Sequence, residues 1–382
     1  MFRQSASWLA GRGPVPTTLS AVLGYYAHSG VFDVGSLRLK GRVDDVTEAM
    51  IDDAFAEVEA AIADEFDRSS VDFEYDTKLV LPAQLTLGYC YRTIDDETRV
   101  DHAEALTRLA IEALIDGDMR DARNDDEYED FAVDFPVDER DRARIAAIAQ
   151  ATLQERVETG FADFDDEVEA LYQWAVDVSE AHQDEDEHFR ELMEAAAAGA
   201  DDARAGIREE YKHATFAADE AFEGAPGGRV AAAADSDSGG APGGSDQEVE
   251  PAHDGPAIFT AAELDLPYLK TQYDRVGVIY DGMCRMYRAA GFDIPDAFTK
   301  SIVLAIIGAQ LWLDDIDDYA ADRREGQLTP VTAEYLLADD DVAAYDEVVS
   351  ISGGYLDLAR EHATAADSTL TGIATEYIYY SG

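Results

Sequence analysis

Ile302 to Leu313 reads Ile-Val-Leu-Ala-Ile-Ile-Gly-Ala-Gln-Leu-Trp-Leu and runs straight into Asp314, Asp315, Asp317 and Asp318. A helix that is apolar nearly all round has to be enclosed by other elements. This run therefore predicts a buried central helix whose C-terminal end opens into carboxylates. At twelve residues the run falls short of the ~20 apolar residues that span a bilayer, so the sequence reads as soluble.

Any acidic motif here must be weighed against the background. The chain has 82 Asp plus Glu against 29 Lys plus Arg, a formal charge of -53 over 382 residues. Self-repulsion of that size opposes compaction in dilute salt. At molar salt the Debye length shrinks to roughly 3 Å and the repulsion is screened. The composition thus reads as a salt-adapted, cytoplasmic, halophilic protein. It argues against nucleic-acid partners, which need a basic face, and against electrostatic docking on anionic lipid. An apolar substrate could still bring it to a membrane periphery. Cys90 and Cys284 are the only cysteines, so no disulfide framework is implied. The opening Met1-Phe-Arg-Gln does not read as a secretory signal.

Residues 224–256, rich in Gly, Pro, Ala, Ser and Asp with Ala-Pro-Gly-Gly twice, read as a flexible linker. They stand between an N-terminal helical part (1–223) and a C-terminal helical part (257–382), either separating two domains or looping out of one. Helical spacing is carried by Val46, Met50, Ile51, Phe55, Val58 and Ile62, and again from Arg144 through Trp174 to Val178. Asp101 reads as the N-cap of a helix through Leu109 and Leu114. After the linker, Leu269, Tyr273, Val276, Ile279, Met283 and Met286 form a stripe ending at Ala290-Gly291, and Pro295 precedes the central helix. Alternation is scarce outside short stretches such as Ser36 to Lys40. The expectation is an all-α fold.

On a wheel of about 100° per residue with Asp314 at zero, Asp318 falls at about 40°, Asp322 at about 80° and Asp315 at about 100°. Leu304, Ile307, Gly308 and Leu311 occupy the same sector. Carboxylates at i and i+4 repel, and a divalent cation removes the conflict. Oxygen ligands favour Mg²⁺ or Ca²⁺, and Mg²⁺ combines one or two carboxylates with phosphate oxygens. An acidic face at the mouth of an apolar cavity suits a diphosphate head on a hydrocarbon tail. The alternative is a helix that leaves the core and meets solvent.

Asp314-Asp315-x-x-Asp318-Tyr319-x-x-Asp322, preceded by Gly308-x-Gln310, resembles the second aspartate-rich motif of trans-isoprenyl diphosphate synthases. Asp322-Arg323-Arg324-Glu-Gly326 with Pro330 is similar to the corresponding ending in squalene and phytoene synthases. The likeness covers roughly residues 299–330. It implies the class I isoprenoid synthase helical bundle, Mg²⁺ as cofactor and a prenyl diphosphate as substrate. It further implies a catalytic and metal-binding role for Asp314, Asp315 and Asp318, with Asp322 in support. Asp121 and Asp125, in a segment similar to the Asp-x-x-x-Asp of squalene and phytoene synthases, would be the facing metal ligands. Gln310, Arg323, Arg324 and Lys78 would contact substrate. The chain departs from the family at Gln310, four rather than three residues before the first Asp. It departs also at Gly326-Gln327 in place of Gly-Lys, and at Lys78-Leu-Val-Leu81-Pro82, which lacks the family's arginine.

These departures carry a second expectation, a catalytically inactive helical relative acting as a partner or regulator. A homodimer is compatible with either. His182-Gln-Asp184-Glu-Asp186-Glu-His188 matches no strong zinc spacing and reads as a solvated helix face. Tyr377-Ile-Tyr379-Tyr380 reads as a helix end packed on the body.

Overall fold

The computed structural model describes residues 17–30, 34–124, 128, 131–183, 185–216 and 257–381. The expected linker 224–256, the opening residues and Asp125 lie outside them. Among the described residues the fold is all-α apart from one two-stranded antiparallel ribbon, Phe73–Tyr75 against Phe131–Val133. Contacts divide the chain into one unit of 1–31, 170–289 and 294–382, and another of 32–169 and 290–293. Residues on both sides of 224–256 belong to the same unit.

In the smaller unit, helices Val34–Glu65, Leu81–Thr93, Glu97–Asn124 and Glu139–Gly160 enclose Ile62, Leu87, Leu106, Ile111, Ile115, Met119, Ile145 and Leu153. Ser36 to Lys40, which alternates like a strand, forms the start of the first of these helices. The helical period from Val43 onward outweighs five alternating residues. The helix expected to begin at Asp101 begins earlier, because Asp96 is the cap: its Oδ1 accepts the backbone N–H of Arg99 at 3.1 Å. The long stripe from Arg144 to Val178 is two helices, Glu139–Gly160 and Asp166–Gln183, with a short 3₁₀ turn at Phe161–Asp163.

This unit buries two carboxylates one helical turn apart. Glu112 is paired with Arg156 Nη2 at 2.6 Å, and Asp116 with Arg120 at 2.7 Å and with Gln150 Nε2 at 3.1 Å. Burial raises the Glu112 carboxyl above its ordinary range against the lowering effect of Arg156. Removing one partner of a buried ion pair strands the other charge. Arg156→Ala is therefore expected to destabilise the protein by about 3 kcal/mol, and the double variant with Glu112→Leu by less. Denaturant unfolding of the two variants checks this.

In the larger unit the central helix Asp296–Ala309 packs against Asp341–Ala365, while Thr17–Ser29 packs against Thr369–Ser381. Tyr268, Tyr287, Phe298 and Tyr355 are its largest fully buried side chains. Two glycines permit these approaches. A Cβ on Gly308 would stand 2.9 Å from Leu356 Cδ2, and one on Gly372 would enter the Tyr25 ring. Gly372→Ala is expected to cost about 2 kcal/mol through overpacking, read as a lowered unfolding midpoint. Tyr377 and Tyr379 of the last helix are each 47% exposed, while Ile378 is buried and Tyr380 is half-buried with its ring against Gly24.

The helical stretch Asp296–Glu325 spans 30 residues and is long and apolar enough to cross a membrane by length and composition. The twelve-residue run undercounted it. Of its most apolar window, 61% is buried inside the fold.

Candidate functional site

The aspartates do not simply continue the central helix. Gln310–Asp314 forms a π turn, after which α-helix resumes at Asp315–Glu325. Such a turn closes i→i+5 and carries one extra residue, rotating the turns beyond it by up to about 100° relative to a regular helix. The expected four-acid face is split as a result. Asp315 and Asp322, seven residues apart on one face, are 3% and 7% exposed. Asp314 and Asp318 turn outward and are exposed, as is Asp317.

The helix stops where the local sequence dictates. Gly326 adopts φ of 76°, the left-handed cap conformation that glycine enters without a Cβ penalty, and Gln327 N–H donates to the Asp322 carbonyl at 2.8 Å. Thr329 then caps the helix Pro330–Leu337, with Pro330 in the first turn. The Thr329 hydroxyl also donates to Asp322 Oδ2 at 3.3 Å. The glycine and proline of this ending are thus a helix stop and a helix start, and together they hold Asp322 in place.

Asp315 has no such support: its Oδ2 is buried without a hydrogen-bond partner. Burial, and then the negative charges of Asp322, Asp314 and Asp318, push its carboxyl up to about 7 against the lowering effect of Arg275. Burial and Asp318 push Asp322 up to about 6, opposed by the Thr329 hydrogen bond and Arg275. Arg275 is therefore a cation shared by the buried pair. It comes from a second π turn, Tyr273–Gly277, which packs on the central helix where Gly277 meets Val303 and Ile307. Sequence reading passed over Arg275, since nothing in its neighbours marks it.

Among the expected substrate contacts, Gln310 is half-buried at the head of the π turn, while Arg323 and Arg324 are exposed. Arg323 donates to the Tyr319 hydroxyl at 3.1 Å and Arg324 to Glu325 at 2.9 Å. Lys78 and Asp121 belong to the smaller unit. The Lys78 side chain is 91% exposed and lies 2.8 Å from Asp76. Asp121 is exposed near the end of its helix, and the half-buried Asp118 of the same helix accepts the Tyr75 hydroxyl proton. The buried acids there are Glu112 and Asp116. The Asp116-x-x-x-Arg120 spacing was the signal that could have found the second.

One expectation is overturned outright. His182 is not on a solvated face but buried, its imidazole held down to about 4 by burial and then by the positive charges of Arg275 and Lys270. His188 is exposed and hydrogen-bonds Glu210 at 2.8 Å. Helical spacing alone could have separated them, because His182 lies eight residues beyond Trp174.

Among the described residues, no set of three or more His, Cys, Asp or Glu side chains is gathered closely enough to hold an ion. Mg²⁺ bound by one or two carboxylates and substrate phosphates needs no such set. A hard-oxygen donor set with one orphaned buried carboxylate oxygen fits it. No family model, curated protein or solved structure matches this chain.

Proposed function

We propose a Mg²⁺-dependent isoprenoid synthase-like enzyme acting on a prenyl diphosphate. The observation that carries the reading is the end of the apolar central helix. Two buried carboxylates, Asp315 and Asp322, share the cation Arg275 there, and two exposed ones, Asp314 and Asp318, stand beside them. Asp314 and Asp318 would hold the metal, with substrate phosphate oxygens completing its shell. Mg²⁺ supplies charge neutralisation to a departing diphosphate.

The chain's own residues do the rest. The π turn sets Asp314 and Asp318 toward solvent, where they can receive a charged head group without desolvation. Thr329 and the helix stop at Gly326 fix Asp322. Arg275 holds a positive charge beside Asp315 and favours its ionised form. Leu304, Ile307 and Leu311 are packed in the core from which these acids emerge. The test is release of inorganic diphosphate from C10 to C20 prenyl diphosphates by the purified chain in molar salt with Mg²⁺. No release from any of them would sink the reading.

A second reading is a catalytically silent relative that serves as a helical partner or regulator. It is favoured by the exposed cations expected to hold phosphate: Lys78 faces Asp76, and Arg324 faces Glu325. Titration of Mg²⁺ with and without a non-hydrolysable prenyl diphosphate separates the two. A silent relative takes up no additional metal when the analogue is present.

A further inference from the structure

Three π turns occur among the described residues, all in the larger unit: Ile207–Lys212, Tyr273–Gly277 and Gln310–Asp314. Such turns are rare and gather at functional sites. The third splits the acids, and the second brings Arg275 to them. The first reaches the same place by another route.

Its last two residues hold one segment at two points. The Tyr211 hydroxyl donates to the Leu328 carbonyl at 2.8 Å, between the helix stop at Gly326 and the cap at Thr329. Lys212 Nζ lies 2.8 Å from Glu334 Oε1 and 3.1 Å from Glu347 Oε1, and Glu334 belongs to the helix that Thr329 caps. Tyr268 secures both points. Its N–H donates to the Lys212 carbonyl at 2.7 Å and its hydroxyl to Glu334 Oε1 at 2.6 Å. Its ring meets Tyr211 edge to face, with centres 5.6 Å apart. To do this Tyr268 adopts φ of 66°, a left-handed conformation that a bulky residue keeps only where its surroundings over-determine it. Tyr211, Tyr268 and Glu334 are all buried.

We infer that Ile207–Lys212 is a clasp that fixes Asp322, with Tyr211 as its positioning residue. Asp322 is anchored by the segment the clasp holds. Gln327 N–H donates to its carbonyl at 2.8 Å, and the Thr329 hydroxyl to its Oδ2 at 3.3 Å. Leu328, which Tyr211 holds, stands between those two donors. Asp322 lies one turn beyond Asp318, close enough for the two charges to repel. A divalent cation on Asp318 is therefore drawn by Asp322 as well, and its affinity depends on where Asp322 sits. This last step rests on the prenyl diphosphate reading; the clasp itself does not.

Site-resolved amide hydrogen exchange on the full chain in molar KCl tests the clasp. The reporters are Gln327 N–H and Thr332 N–H, which donate to the Asp322 carbonyl and to the Thr329 hydroxyl. Tyr211→Phe removes one donor and keeps the ring. It is expected to speed exchange at both amides at least tenfold relative to the helix Asp296–Ala309. Tyr287→Phe, at another fully buried tyrosine of the same unit, is expected to leave that ratio unchanged. A thermal melt accompanies each variant. Glu334→Gln, which loosens the second point, is expected to act on the same two amides and serves if Tyr211→Phe does not fold. Unchanged exchange at Gln327 and Thr332 in a folded variant overturns the clasp, as does acceleration spread equally over the unit. In the active protein, Tyr211→Phe is further expected to raise the Mg²⁺ concentration for half-maximal diphosphate release at least fivefold, with kcat within twofold of wild type. An unaltered Mg²⁺ requirement overturns the link to metal binding. A wild type that releases no diphosphate sinks the prenyl diphosphate reading, and the exchange ratio then decides the clasp by itself.

Discussion

Replacing Asp314 and Asp318 together by asparagine is expected to lower Mg²⁺-dependent diphosphate release by at least about 10²-fold, the scale of one lost electrostatic contact to a developing charge. The fold is expected to survive. Both side chains are exposed, and exposed substitutions away from caps and cores change stability by about 0.5 kcal/mol or less. Relief of the i,i+4 repulsion pushes in the stabilising direction by a few tenths of a kcal/mol. Steady-state assays of diphosphate release beside a thermal melt read both effects. Unchanged kcat/KM in a folded double variant would remove the exposed pair from the site and leave the silent-relative reading standing.

Asp315→Asn is expected to stabilise the metal-free protein, and by more as pH rises. The Asp315 carboxyl is held at about 7 against an ordinary value of 3.8, so between those values the native state binds more protons than the unfolded chain. Stability then falls as pH rises through that window and is flat above it. At about 1.4 kcal/mol per pH unit, the full window corresponds to on the order of 4 kcal/mol. Asparagine carries no charge at any pH in this range. The variant is thus expected to match wild type near pH 4 and to exceed it increasingly up to pH 7. His182 acts in the opposite sense. Its imidazole is held down to about 4, so its contribution is lost as pH falls below the ordinary 6.5. It is common to both proteins and cancels in the difference. Denaturant unfolding with a chelator present, at pH 4, 5.5, 7 and 8.5, gives the curve. A difference that is constant across pH would mean that Asp315 is ionised throughout.

The helices were legible because their apolar residues repeat at helical steps over many turns, and the central helix because it is apolar nearly all round. Boundaries were less so. Asp96 outcompeted Asp101 as a cap through one hydrogen bond to Arg99 N–H, a choice that composition does not announce in a chain crowded with aspartates. The stripe from Arg144 to Val178 hid a break, since both helices keep their apolar faces in phase through Phe161. The acids around His182 suggest solvent, although its distance from Trp174 puts it on the inward face.

The sequence by itself determined that the run from Ile302 to Leu313 is a buried helix ending in carboxylates, that Gly326 and Pro330 punctuate that end, and that the fold is all-α. Local periodicity and backbone preference suffice for these, and neither needs neighbours. The tertiary structure decided which carboxylates are buried. A π turn forms where packing accommodates an extra residue, and that turn puts Asp315 and Asp322 inside while Asp314 and Asp318 face out. It also decided the cation, because Arg275 reaches the buried pair from a separate π turn some forty residues earlier in the chain. Burial and charge at that helix end are properties of the elements packed around it, and a regular wheel drawn on one helix contains neither.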